Sequence, residues 1–140
     1  MAGKDIRTGV QAGAVNGTDA PYVWSVGFLA IARAEAEAFL SPEQYHHVVD
    51  QVRSLAREQD PTHPATVSVS QIEDYYELRE KGGPLNKINF RGYFILDNHR
   101  RTIVFLCGYK KEDDGATPNW IKLRVRMRRR RYIAGEYSRI

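Results

Sequence analysis

The sequence predicts an α+β domain: a small, mostly antiparallel sheet carrying two helices from the N-terminal half and a third helix at the C-terminal end. Three observations lead there. An aromatic and β-branched run at 22–29 precedes two helix-forming stretches, 30–40 and 41–57; three strand-like runs then follow one another at 75–79, 88–96 and 102–109; and Thr117-Pro118 opens a long basic segment. Strands followed by one another rather than by helices favour antiparallel pairing, with helices packed together on one face of the sheet. At 140 residues the chain fits one domain with a core of useful size.

Residues 1–21 mix Gly, Ala, Asn, Thr and Asp without a sustained hydrophobic period and are expected to be a flexible tail, leaving 22–140 as the folded domain. The run Tyr22-Val23-Trp24-Ser25-Val26-Gly27-Phe28-Leu29 suits a first strand, and the alanine-rich 30–40 a first helix. The second helix has the clearest punctuation. Ser41 is placed to cap it, Pro42 takes the first helical position and Gln44 completes a capping box. Tyr45, Val48, Val49, Val52, Leu55 and Ala56 then form one apolar stripe, and Asp60-Pro61 ends it. Val67 and Val69 hint at a short extended piece inside the connection 61–70.

Along 88–96, Ile88, Phe90, Phe94 and Leu96 fall on one face of a strand, and Asn89, Arg91, Tyr93 and Ile95 on the other. Asp97-Asn98-His99-Arg100 makes a hairpin turn into 102–109, which is apolar on both faces as a covered central strand must be. The last segment admits two readings. Ile121, Leu123, Val125 and Met127 alternate with Lys122, Arg124, Arg126 and Arg128 as in a strand, whereas Ile121, Val125 and Tyr132 share one helical face behind a Thr-Pro start. Helix is the favoured reading, since Leu, Arg, Lys and Met are good helix formers.

Charge is divided unevenly. Residues 1–80 hold 6 Lys/Arg and 12 Asp/Glu, a net of −6; residues 81–140 hold 15 Lys/Arg and 5 Asp/Glu, a net of +10. A polyanion is drawn to the second half, although such a surface also serves solubility. The single cysteine, Cys107, excludes an internal disulfide and fits a reducing compartment. No apolar run approaches the roughly 18 residues of a membrane-spanning helix, and no basic start with an apolar core marks the N-terminus. These features predict a soluble, cytoplasmic protein. The four histidines show no metal-ligand spacing with Cys107, so neither a metal nor another cofactor is expected.

Taken in order, Tyr76-Glu77-Leu78-Arg79, Phe90-Arg91-Gly92-Tyr93-Phe94, Ile103-Val104-Phe105-Leu106, Gly108-Tyr109-Lys110-Lys111 and Thr117-Pro118 resemble the RelE superfamily of toxins, in its HigB and phage-derived branch. The resemblance spans roughly 22–133 and is sharp over 75–118. It implies the toxin of a type II toxin-antitoxin system: a metal-independent endoribonuclease (an mRNA interferase) that cuts mRNA on the ribosome and is held inactive by a cognate antitoxin. It also implies that Arg91 occupies an active-site position and that Lys111 matches a commonly basic one. The chain departs from well-known relatives in having Tyr75 and Glu77 where some carry lysines. Its C-terminal tyrosine, Tyr132, lies beyond their position, which falls near Trp120 or Ile121. The loop 112–117 is longer and acidic, with Glu112, Asp113 and Asp114.

Metal-free RNA cleavage requires an in-line 2′-hydroxyl, cations for the phosphate oxygens and a route for the proton. Arg91 is the first candidate for gripping phosphate, because its planar fork matches two oxygens; a solvent-facing arginine on a half-buried strand is the plain alternative. Lys111, with Lys110 beside it as an RNA contact, either binds phosphate or merely ends a strand. Arg79 either joins Arg91 or pairs with Glu77 or Glu80. Tyr132 and His99 are the proton-transfer candidates, while His46 and His47 belong to the second helix, outside the site. Arg124, Arg126, Arg128, Arg129, Arg130 and Arg131 are expected to contact RNA phosphates without reading sequence, or to face an acidic antitoxin. Trp120 is a candidate for stacking on a base or for the edge of the core. A non-catalytic RNA-binding or regulatory protein on the same scaffold fits the same residues.

Overall fold

Residues 6–10 and 22–137 are described by a computed structural model. Strands β1 (Ile6–Val10) and β2 (Ser25–Leu29) lead into helices α1 (Ala30–Glu37) and α2 (Pro42–Arg57). Next come β3 (Ser68–Gln71), β4 (Tyr76–Lys81), a turn of 3-10 helix (Gly83–Leu85), β5 (Asn89–Asp97), β6 (Thr102–Lys110) and α3 (Asn119–Ile133). The fold is α+β. Residues 6–10 form a strand inside the stretch read as a flexible tail, because β2 offers its edge to them antiparallel from Ile6↔Leu29 to Val10↔Val26. Five residues are too few for periodicity to announce a strand. The remainder of the expected tail lies outside the described residues.

The sheet order is β1-β2-β6-β5-β4-β3. It is mixed rather than mostly antiparallel as expected, since β2 runs parallel to β6, Ser25 opposite Thr102 through Phe28 opposite Phe105. Both helices and three further strands lie between β2 and β6, a connection long enough to bring β6 back alongside β2 in the same direction. The β4–β5 and β5–β6 pairs are antiparallel, as the consecutive strand signals predict.

The helices do not share one face, which corrects the expectation. Val48, Val52, Leu55 and Ala56 of α2 pack with Val26, Phe28, Leu78, Phe90, Phe94, Ile103 and Phe105 on one side. Ile121, Val125 and Tyr132 of α3 pack with Tyr75, Tyr93, Ile95, Val104 and Leu106 on the other. A strand apolar on both faces needs cover on both, so β6 already contained this answer. The capping box of α2 is formed, with Gln44 N–H donating to Ser41 Oγ at 3.2 Å and Ser41 N–H to Gln44 Oε1 at 2.9 Å. In α3 the helical reading holds: Ile121, Val125, Arg128 and Tyr132 are buried, while Leu123 and Met127 of the alternative strand pattern are exposed.

Helix α1 begins where β2 ends and covers the stretch of β6 that β2 no longer pairs. The approach is close: a Cβ on Gly108 would lie 3.2 Å from the Ala32 carbonyl oxygen and 3.3 Å from Ala36 Cβ. Gly108 N–H donates to Glu35 Oε1 at 3.1 Å, so a side chain from α1 takes the strand partner's place. The β5–β6 register shifts between Tyr93 and Phe94, leaving Leu106 unmatched across the ladder; its carbonyl accepts from Arg128 Nη1 at 2.8 Å.

Candidate functional site

The α3-facing side of the sheet is apolar beneath the helix and polar at the end where β5 starts and β6 finishes. Cross-strand pairing explains why. Glu77 lies opposite Tyr93, Arg79 opposite Arg91 and Lys81 opposite Asn89, so these six side chains share the face. Lys111 joins them just past β6, where its N–H donates to the Asn89 carbonyl at 2.9 Å.

At the centre stands Glu77, fully buried. Its Oε1 accepts from Arg79 Nε at 2.7 Å; its Oε2 accepts from Arg91 Nη1, Tyr93 Oη and Thr117 Oγ1, each at 3.0 Å. Burial alone pushes this carboxyl upward, but the hydrogen bond from Arg79 and the charge of Arg91 outweigh it and hold the group below the usual carboxylate range. The same burial drives the Tyr93 hydroxyl well above its ordinary value.

Arg91 is therefore not a solvent-facing arginine: it is 1% exposed. Besides Glu77 it donates toward the Asn89 side chain and the carbonyls of Asp113 and Gly115 at 3.4–3.5 Å. Arg79 is half-buried and pairs with Glu77, the plainer of its two sequence readings. Lys111 is buried and paired with Asp113, while Lys110 is exposed. Arg79, Arg91 and Lys111 thus lie at one end of the sheet, with Arg79 and Arg91 both bonded to Glu77.

Tyr132 and His99 are not with them. Tyr132 Oη donates to Asp97 Oδ2 at 2.6 Å, and His99 is exposed in the adjoining hairpin turn. Asp97 is six residues along β5 from Arg91, or ~20 Å in an extended strand. At that far end a groove of about 530 Å³ is lined by Asp74, Tyr76, Asp97, His99, Arg129 and Tyr132. Next to it lies a second groove of about 350 Å³, lined by Glu73, Tyr75, Arg126, Arg129 and Arg130. The buried Tyr75 hydroxyl has no hydrogen-bond partner among the described residues, and burial pushes it up to about 12.

The arginines of α3 divide in two. Arg128 is buried and paired with Glu35 at 2.8 Å; Arg124 reaches the same carboxylate at 3.0 Å and lies over the exposed ring of Trp120. Arg126 holds both oxygens of Glu73 through Nε and Nη2, and Arg131 pairs with Glu136. For Arg128 the expected RNA contact gives way to a structural tie between α1, β6 and α3. Arg129 and Arg130 make no ion pair among the described residues, and Arg130 is exposed. Glu35, Glu73 and Glu77 come from the acidic half, so part of the charge division seen in the sequence is neutralised inside the fold.

Replacing Arg128 with alanine removes hydrogen bonds to Glu35 and to the Leu106 carbonyl. It is expected to cost about 1.5–3 kcal/mol, because Arg124 remains to hold Glu35. Arg130→Ala, on the surface, should change stability by no more than about 0.5 kcal/mol. Urea denaturation of the two variants checks the contrast.

The fold and this cluster define a small α+β chain with cations gathered around a buried carboxylate at one end of its sheet. Compared with known proteins, the chain matches no family model, no curated protein and no solved structure. No described helix is long and apolar enough to cross a membrane, and the described residues hold no cluster of three His, Cys, Asp or Glu suited to a metal ion.

Proposed function

We propose that this chain is a RelE/HigB-like toxin: a cytoplasmic, metal-independent endoribonuclease that cleaves mRNA on the ribosome and is restrained by a cognate antitoxin. The observation supporting the reading is the meeting of Arg79, Arg91 and Lys111 from three neighbouring segments at one sheet end. In this reading Arg91 and Lys111 take the scissile phosphate oxygens and stabilise the charge that grows on them, with Arg79 holding Glu77 in place. Arg129 and Arg130 on α3 add sequence-independent phosphate contacts.

A second reading, a non-catalytic RNA-binding protein on the same scaffold, is favoured by one specific fact: the proton-transfer candidates Tyr132 and His99 sit at the far end of β5 from the cations. Controlled expression in a bacterial host tests the first reading. Wild type is expected to arrest growth, and Lys111→Ala to relieve the arrest, whereas Tyr132→Phe and His99→Ala leave it in force. Normal growth with folded wild-type protein accumulating, and no antitoxin present, contradicts the toxin reading.

A further inference from the structure

The cationic end of the sheet is covered by a loop of the same chain, and the loop reaches it with oxygen atoms only. Lys81 Nζ meets both oxygens of the Asp114 carboxylate at 2.8 and 2.9 Å. Lys111 Nζ meets Asp113 Oδ1 at 2.5 Å. Asn89 Nδ2 donates to the Asp113 carbonyl at 2.7 Å and toward Asp114 Oδ1 at 3.4 Å. Arg91 turns its two terminal nitrogens to the carbonyls of Asp113 and Gly115. Two carboxylates and two carbonyls therefore stand in front of four donors, three of them buried and Lys81 exposed. That is the arrangement a phosphodiester group, with its negatively charged oxygens, would require.

The two sides of the contact are unlike. Asn89, Arg91 and Lys111 are each 9% exposed or less, anchored by the strands and by Glu77. Residues 112–116 are all exposed, with Asp113 and Asp114 keeping 73% and 71% of their side-chain surface in solvent. Beside the contact lies a cavity of about 390 Å³ lined by Lys81, Lys87, Asn89, Lys111 and the three acidic residues. A preformed donor set, a superficial acidic occupant and adjoining open space are what an exchangeable plug requires.

We propose that Lys81, Asn89, Arg91 and Lys111 form an RNA phosphodiester-binding site that Asp113 and Asp114 of the same chain occupy, so that RNA must displace the loop in order to bind. This rests on reading the sheet end as the RNA site. The loop's aspartates are exposed and their ion pairs are screened by salt on that side, so displacement demands little. It lowers apparent affinity by the fraction of molecules in which the loop is open.

The test uses a fluorescent single-stranded RNA with 2′-O-methyl riboses, which removes the nucleophile and separates binding from cleavage. Anisotropy titrations compare wild type, Asp113→Asn/Asp114→Asn, and a control of equal charge change, Glu37→Gln/Asp50→Asn, on the distant helices α1 and α2. The loop variant is expected to bind about threefold to tenfold tighter than the control, which is what losing two ion pairs made by exposed carboxylates predicts. In wild type, saturating RNA is expected to speed amide exchange at 112–116. Equal affinity of loop variant and control, or unchanged exchange in that segment, overturns the proposal. The nuclease reading fails separately: a chain with the predicted binding order that never cuts ordinary RNA keeps the plug and loses the enzyme. One that cuts RNA with loop variant and control alike keeps the enzyme and loses the plug.

Discussion

Glu77→Gln is expected to destabilise the protein by about 3–5 kcal/mol, the usual cost of leaving one member of a buried ion pair without its partner. Four donors converge on this carboxylate. An amide supplies one oxygen in place of two, and its NH₂ must point either at Arg79 Nε or at the three groups that share Oε2. Arg91, 1% exposed, keeps its charge with no carboxylate beside it. The pH dependence follows from the sign of the shift. The Glu77 carboxyl is held below its unfolded value of about 4.3. Its contribution is fully present above that value and is lost as pH falls through the lower folded value. Urea denaturation at pH 7 and pH 4 should show the wild type weakening toward acid, and the variant weaker at pH 7 with a flatter acid limb.

The second large effect concerns chemistry. Lys111→Ala is expected to reduce RNA cleavage by about 10²–10³-fold, the range seen when one donor to a developing oxyanion is removed. Stability should fall by only about 1 kcal/mol, since the partner of Lys111 is an exposed aspartate. That difference makes Lys111 a cleaner probe than Arg91, whose removal also strips Glu77 of a partner. Arg91→Lys is the complementary variant: it keeps a charge near Glu77 but loses the planar fork, so cleavage should fall while the fold survives. Single-turnover cleavage assays beside thermal melts separate the two effects.

Particular residues show why some of this was readable in the sequence and some was not. The α2 cap and stripe, the alternating faces of β5 and the helical face Ile121, Val125, Tyr132 rest on local periods, and local periods survive folding. That both faces need cover is legible in β6, but that α3 supplies the second cover depends on the path of 112–118, which no period encodes. Alternation placed Arg91 opposite the Phe90 face but said nothing of what fills that side, so its burial against Glu77 was missed. The available signal was the cross-strand match of Glu77 with Tyr93 and of Arg79 with Arg91, legible only once the β4–β5 register is known. The arginine run on α3 suggested a uniform phosphate surface. The acidic partners of Arg124, Arg126 and Arg128 lie 53 to 93 residues earlier, beyond the reach of any local pattern.

Primer extension on an mRNA in a translating extract, with wild type and Lys111→Ala side by side, tests the central claim most directly. New cuts within codons are expected from wild type, strongly reduced with the folded variant. An uncut message in the presence of folded, antitoxin-free wild type contradicts it, and leaves an RNA-binding protein whose cations hold phosphate without breaking it.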